Sequence, residues 1–252
     1  ASDVYKRQPQ AIDAYADITD ERRRVHAAMV SELDAAVGQL LAVLDEEGMA
    51  DNTLIWFLSD NGGLTQYRGM PGPIYSIVDA AKWLWGDDIP VRFIEFMRAN
   101  MEDGGSDNTP LTGAKGSVKE GGIRVPSVIR WPAGLGTGKF ETRLSVLNML
   151  PTLLDAAGGK TLAVEPHDGR SFLPALRGEK ALPPAPFVTQ AFNGNQAIFH
   201  AQWKLLLRAD GSKSLYDIDA DPTETTDLAK TQKELVAVSY THLTLPTNGC
   251  GE

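Results

Sequence analysis

A run of apolar residues ends abruptly at Ser59-Asp60-Asn61-Gly62-Gly63, in the stretch LIWFLSDNGGL. Asp60 and Asn61 offer a carboxylate and an amide carbonyl. These are hard oxygen donors of the kind that Ca²⁺ and Mg²⁺ take in preference to soft metals. Gly62 and Gly63 let the backbone turn tightly with no side chain in the way. Asp-Asn-Gly is also ordinary turn chemistry, so a turn and a hard-metal site both fit. Further on, Lys115 stands in GAKG, where small neighbours let a tetrahedral oxyanion approach a compact ammonium charge. A solvated loop lysine is the other reading. Glu120 and Arg124, in KEGGIR, are either substrate contacts or a structural pair that holds the loop. The histidines are weaker candidates. His26 falls on a predicted helix, His167 and His200 fall in the carboxyl-terminal region, where each either reaches a cleft or serves at the surface or in packing, and His242 lies in a terminal segment set aside below.

These groups need elements to position them. In TDERRRVHAAMVSELDAAVGQLLAVLDEEG, Val25, Met29, Leu33, Val37, Leu40 and Leu44 recur at three- and four-residue steps, which predicts an amphipathic helix. Thr19 or Asp20 caps it, Glu21 suits its positive start, and Gly48 suits its stop. MADN makes a turn. TLIWFL is a short continuous apolar run, expected to be a strand buried on both faces of a parallel sheet. In open α/β sheets ligands gather at the carboxyl ends of strands, where Asp60 and Asn61 fall. YSIVDAAKWLWG and PVRFIEFMRANMEDGG predict two more helices, TPLTGAKGSVKEGGIR a loop, and VPSVIRW a strand. MLPTLLDAAGG predicts a short helix with Pro151 in its first turn and Gly158 at its end. After Gly159 the texture changes to short strands, FVTQ, QAIFH, WKLLLR and KSLYDI, the last two joined by the Asp-Gly hairpin signal in ADGS. DADPTETTDLA reads as turn followed by a helical turn. The expected organisation is an α/β domain over 9–163 and a small antiparallel subdomain over 164–237.

The two ends are set aside. Back-translated as GCG TCA GAT GTG TAT AAG AGA CAG, Ala1–Gln8 has a reverse complement that encodes Val-Ser-Tyr-Thr-His-Leu-Thr in a shifted frame. That is the sequence of Val238–Thr244. One DNA element at both ends in opposite orientations reads as a translated sequencing adapter, so 1–8 and 238–252 are excluded from fold reasoning. On this reading both natural termini, and any signal peptide, lie outside the sequence. The net charge of −9 survives the trimming, because Lys6 and Arg7 offset Asp3 and Glu252. An acidic chain with no basic cluster argues against a nucleic-acid partner. A hydrophobic content of 42% is that of a globular protein, and no apolar run is expected to span a membrane. The sole cysteine, Cys250, lies in the excluded tail, so 9–237 holds neither a disulfide nor a thiolate metal site.

The order of segments carries more than any one of them. The helix running into LIWFLSDNGG, then PLTGAKGSVKEGGIRVPSVIRWP, LNMLPTLLDAAG, DGRSFLPALRG, QWKLLL and LYDIDADPTETTDLA together resemble the carboxyl-terminal half of the formylglycine-dependent sulfatases, of the alkaline-phosphatase-like superfamily. The resemblance implies an α/β fold with a mixed or parallel sheet flanked by helices, followed by a small antiparallel subdomain. It implies Asp60 and Asn61 as the late pair of calcium ligands, with Mg²⁺ as the alternative cation, and Lys115 as the lysine that contacts the sulfate group. In such enzymes a formylglycine hydrate attacks sulfur while metal and cations steady the sulfuryl oxygens and the alcohol leaves. The implied substrate is a sulfate ester of a glycan or an aryl alcohol, and the implied location is periplasmic or secreted.

Three features depart from the family pattern. The nucleophile motif (Cys or Ser, then x-Pro-x-Arg), the early acidic ligands and the upstream histidines are absent. Their place in the family order lies before Pro9, which predicts an inactive fragment. Lys119 stands where the family often has an aromatic residue. The stretch between Asn61 and Lys115 is longer than in compact members, and its Trp83, Trp85, Phe93 and Phe96 suggest a helical lid over the substrate pocket or a peripheral decoration, with Tyr67 to Asn108 as the removable part. Two competitors stand beside the sulfatase reading: a phosphodiester or phosphonate hydrolase of the same superfamily, and a non-catalytic module that keeps the fold.

Overall fold

Asp20 starts the longest helix. Its Oδ1 accepts the Arg23 N–H at 2.7 Å, and its carbonyl accepts the Arg24 N–H at 2.9 Å. This is side-chain capping of otherwise unpaired helix donors. The helix ends before Gly48, whose φ of +65° suits a left-handed stop. A computed structural model describes residues 9–65, 105–159, 169–183 and 185–237. The two helices expected between Tyr67 and Gly104, the aromatic residues of the lid, the boundary near Val164, His167 and both terminal segments lie outside the described residues.

The described elements are α1 (Pro9–Asp13), α2 (Glu21–Glu46), a 3₁₀ turn (Ala50–Asn52), β1 (Ile55–Leu58), α3 (Glu120–Ile123), β2 (Ser127–Arg130), α4 (Met149–Ala156), α5 (Leu173–Leu176), β3 (Phe187–Gln190), β4 (Gln196–His200), β5 (Trp203–Leu207) and β6 (Lys213–Asp217). They belong to two compact units. One comprises Ala1–Glu46 and Leu58–Pro126, the other Glu47–Phe57 and Ser127–Glu252.

In the first unit α1 packs on α2, and the Tyr15 hydroxyl bonds the Ser31 hydroxyl. The periodicity of α2 is real, but its apolar stripe is not a core face here. Ala28 is its only buried residue among those described, while Met29, Val30, Leu33, Leu40 and Val43 are exposed. Val25, Val37 and Leu44 of the same stripe are half-buried. By length and composition α2 could also cross a bilayer, although Glu32 and Asp34 sit at its middle. The expectation that no segment spans a membrane is not overturned by one helix that passes on length and composition alone.

In the second unit β1 pairs with β2, and the Trp56 indole N–H donates to Ser127 Oγ at 2.8 Å. β1 is not covered on both faces as expected: Phe57 is exposed and its neighbours are half-buried. A strand with one described partner has less to bury it. The four strands predicted after Gly159 all form, in the order β3-β4-β5-β6, antiparallel throughout. Ile198, Leu205 and Leu215 stand side by side across three strands. Trp203, Leu207, Leu228, Ala229, Leu235 and Val236 pack against them. Pleating sends the alternate residues to the other face, where Phe187 stacks on Phe199 at 4.6 Å. There Lys204, fully buried, meets Glu224 at 2.9 Å and lies 5.0 Å from the Phe199 ring. The β5–β6 connection closes through Arg208 and Ser212, with Gly211 at φ +82° and the Ser212 N–H on Asp210 Oδ1.

Candidate active site

The chain leaves β1 at Leu58 and turns at once. Ser59 Oγ donates to the Asn61 carbonyl at 2.8 Å, Asp60 Oδ1 accepts the Asn61 N–H at 2.9 Å, and Asn61 Nδ2 donates to the Gly62 carbonyl at 3.1 Å. These local bonds are the turn chemistry that the sequence advertised. They also set the two oxygen-bearing side chains side by side on one loop. Asp60 is exposed and Asn61 half-buried.

The next contact makes the turn more than a turn. The Lys115 backbone N–H donates to the Gly63 carbonyl at 3.1 Å. Two segments distant in sequence, one carrying Asp60 and Asn61 and the other Lys115, are therefore laid against each other within one unit. Glycine makes this approach possible. The Gly62 N–H bonds the Gly122 carbonyl at 2.8 Å. A Cβ at Gly62 would meet the Gly121 carbonyl carbon at 2.7 Å and the Gly122 Cα at 2.9 Å, distances no side chain tolerates. The Gly121 N–H in turn bonds the Thr112 carbonyl at 2.8 Å, and the Ser117 N–H bonds the Ala114 carbonyl at 2.9 Å. The result is a nest of backbone laid on backbone, with Ala114, Val118 and Glu120 buried in the same segments and Asp60 and Lys115 exposed.

Lys115 stands between the buried Ala114 and Gly116, whose φ is +86°. Small neighbours leave room for a tetrahedral anion beside the ammonium group. Glu120 takes the structural alternative. It is 2% exposed, opens α3, and faces Arg124 at 3.8 Å. Lys119 precedes α3, with its N–H on Ser117 Oγ at 3.0 Å.

His26 packs beside Gly105. Burial, with the Arg23 charge as the lesser cause, holds its pKa below the usual imidazole value and favours the neutral ring. His200 ends β4 opposite Trp203. Asp107 is held below the usual carboxylate range, first by the Thr109 N–H and then by the Thr109 hydroxyl.

One residue went unnoticed in the sequence. Asn108 Oδ1 accepts the Gly63 N–H at 2.9 Å, while its Nδ2 donates to the Gly63 carbonyl at 2.9 Å and the Gly113 carbonyl at 3.1 Å. Asn108 stands at the far edge of the insertion expected to be removable, yet its side chain ties the Gly63 and Gly113 segments together. A polar residue in a Ser-Asp-Asn-Thr-Pro run looks like any turn, so the sequence held no signal for this role.

A hard cation is the group to test against these residues. The donor type of Asp60 and Asn61 fits one. Among the described residues no cluster of three or more Asp, Glu, His or Cys forms, so these two oxygens alone fall short of a full coordination shell.

The sulfatase family model matches residues 2–159. The chain is 30% identical over 222 residues to the choline-sulfatase of Rhizobium meliloti (strain 1021), covering 85% of this chain and 35% of that protein. It is 32% identical over 169 residues to the steryl-sulfatase of Mus musculus, covering 66% of this chain and 22% of that protein. Among solved structures, Ps i-CgsB in complex with k-i-k-neocarrahexaose superposes with a TM-score of 0.75 at 27% identity, over 94% of this chain and 46% of that one. The chain thus spans less than half the length of each of these relatives. The α/β, alkaline-phosphatase-like architecture expected from the sequence is supported by these neighbours together with the mixed helices and sheets described above. With a family match over well more than half of its residues, the chain belongs to the sulfatase family.

Proposed function

We propose that this chain is the carboxyl-terminal part of a sulfate-ester hydrolase, and that it contributes two metal-site oxygens and one sulfate-contacting cation to the active site. The observation that carries the reading is the 3.1 Å bond from the Lys115 N–H to the Gly63 carbonyl, which sets the cationic loop against the Asp60–Asn61 loop. Asp60 and Asn61 would hold Ca²⁺, or Mg²⁺ in its place. The ion, when bound, supplies Lewis-acid stabilisation of charge on the transferring group. Lys115 holds one face of a sulfate ester by charge, and its small neighbours admit the tetrahedral group without a steric toll. The glycine nest fixes both loops before substrate arrives, so little reorganisation is needed as charge develops.

The nucleophile, a formylglycine on this reading, belongs to the parent protein's preceding part, as do the remaining metal ligands. The substrate class is a sulfate ester of a glycan or an aryl alcohol. A periplasmic or secreted location goes with the reading.

Two experiments test it. The 252-residue chain, supplied with Ca²⁺ and assayed on a chromogenic aryl sulfate beside a full-length relative, is expected to give no turnover. Turnover that survives dialysis and disappears in Lys115→Ala would overturn the fragment reading. Joined to the amino-terminal part of the choline-sulfatase, the chain is expected to release sulfate, with Lys115→Ala lowering kcat/KM about 10²- to 10³-fold. A folded hybrid that cleaves a phosphodiester and spares sulfate esters would transfer the chain to the competing hydrolase class.

A further inference from the structure

The glycines that let the two site loops touch also raise the entropic cost of ordering them. Gly62, Gly63, Gly113 and Gly116 lie within or beside the contact, and glycine loses more conformational freedom on ordering than any other residue. Something has to hold the loops in register, and Asn108 is placed to do it. Its carboxamide meets the backbone of the metal loop twice, at the Gly63 N–H and the Gly63 carbonyl, and the backbone of the lysine loop once, at the Gly113 carbonyl. The amide thus acts as a neighbouring strand would, giving and taking a hydrogen bond at one residue while reaching to a second segment. Gly63 makes room for it: a Cβ there would fall 2.9 Å from Asn108 Oδ1 and 2.8 Å from Ser106 Oγ. Asn108 is itself partly buried, so water competes poorly for the three bonds.

We infer that Asn108 is the positioning residue of the site: its side chain sets the distance between the Asp60–Asn61 loop and Lys115, and so tunes cation and anion binding without touching either ligand. This rests on the proposed metal and sulfate roles of those residues.

The test uses the full chain and two variants. Asn108→Ala removes all three bonds. Asn108→Asp keeps an acceptor for the Gly63 N–H but sets a carboxylate against two carbonyl oxygens. Amide hydrogen exchange reads the clamp directly. In Asn108→Ala the Gly63 and Lys115 amides are expected to exchange about tenfold faster or more, while the Leu205 and Leu206 amides of β5 keep their rates. In Asn108→Asp, protection is expected to persist at Gly63 and fall at Lys115. Calcium affinity, read by titration calorimetry, is expected to fall about tenfold in Asn108→Ala. Unchanged exchange at both amides would overturn the clamp. Faster exchange with unchanged calcium affinity would overturn the positioning role. Should the unaltered chain bind no calcium at all, the metal reading fails by itself. Inorganic sulfate binding, measured with Lys115→Ala as the reference for loss, then decides the positioning role. Sulfate affinity that falls in Asn108→Ala supports it, and affinity that holds overturns it.

Discussion

Between Asp60 and Lys115 a carbonyl oxygen rests where a side chain would otherwise be; between β4 and β6 side chains occupy both faces of the sheet. The first region is held by glycine packing and backbone hydrogen bonds, from Gly62 to Gly122, Lys115 to Gly63 and Gly121 to Thr112. The second is held by Ile198, Leu205 and Leu215 on one face, and by Phe199 and the buried Lys204–Glu224 pair on the other. Backbone bonds fix positions and leave side chains free to do chemistry. Buried side chains supply stability and leave nothing over for a ligand. The difference teaches that a reactive loop can be rigid without being hydrophobic, provided the residues at its contacts have no Cβ.

Four outcomes would break or sharpen that contrast. The largest is expected from the sheet. Glu224→Gln removes one partner of a fully buried ion pair and strands the Lys204 charge, at a cost of about 3–5 kcal/mol. Chemical denaturation followed by near-ultraviolet dichroism measures it. Replacing Lys204 and Glu224 together with Met and Leu should recover most of the loss. If Glu224→Gln also accelerates exchange at Gly63, the two regions are not independent and the contrast fails. Next comes Gly62→Ala. Its Cβ would collide with the Gly121 backbone, so the cost is about 1–3 kcal/mol, confined to the site loops. Loss of protection at the Gly62 and Lys115 amides with an unchanged β5 is the expected pattern. A substitution that leaves the Gly62 amide protected would show the nest to be looser than its geometry.

A smaller effect concerns acid. The Asp221 carboxylate accepts the Thr226 and Thr225 N–H groups, each at 2.8 Å, and the Thr223 hydroxyl at 2.7 Å. These bonds, the Thr226 N–H foremost, hold its pKa below the ordinary carboxylate value. A depressed folded-state pKa stabilises above the unfolded pKa, and the gain disappears as pH falls through the folded value. The Tm is therefore expected to drop as pH falls below about 4, with a shallower drop in Asp221→Asn. Identical slopes would exclude the carboxylate as a contributor. The smallest effect is Lys115→Ala, within about 0.5 kcal/mol of the unaltered chain, because the side chain is exposed and its proposed role lies with ligand rather than fold. A clear loss of Tm would make Lys115 a structural residue and weaken its proposed role.

The regular elements were legible because their signals are local. Asp20, the three-and-four spacing of α2 and Gly48 are all read within one segment, and the structure keeps each of them. The Asp210–Gly211 hairpin and the four short strands are local signals too. Burial was harder to read, because it depends on what lies opposite. Met29, Leu33 and Leu40 on the α2 stripe and Phe57 on β1 are exposed despite an apolar pattern that suits a core. At the site, Asp60, Asn61 and Lys115 could be marked as candidates by residue type, and only their order along the chain suggested that they belong together. Asn108 could not be marked, since its three bonds go to backbone groups whose identity leaves no trace in the sequence. Lys204 was hidden for a similar reason. A lysine in WKLLL reads as a polar residue on a solvent face until Glu224 is found beside it.

The Asn108 bonds to Gly63, with the Ser106 N–H reaching the Leu64 carbonyl at 3.4 Å, have a consequence for how such proteins diversify. Leu64 and Ser106, described residues at either end of the intervening stretch, lie within hydrogen-bond reach of each other. The entropic cost of holding the two ends of a connection together grows only with the logarithm of its length, by about 0.6 kcal/mol per doubling. Residues can therefore accumulate or vanish there with little change in the spacing of Asp60 and Lys115. The length of this stretch can then vary widely while the Lys115 N–H keeps its bond to the Gly63 carbonyl.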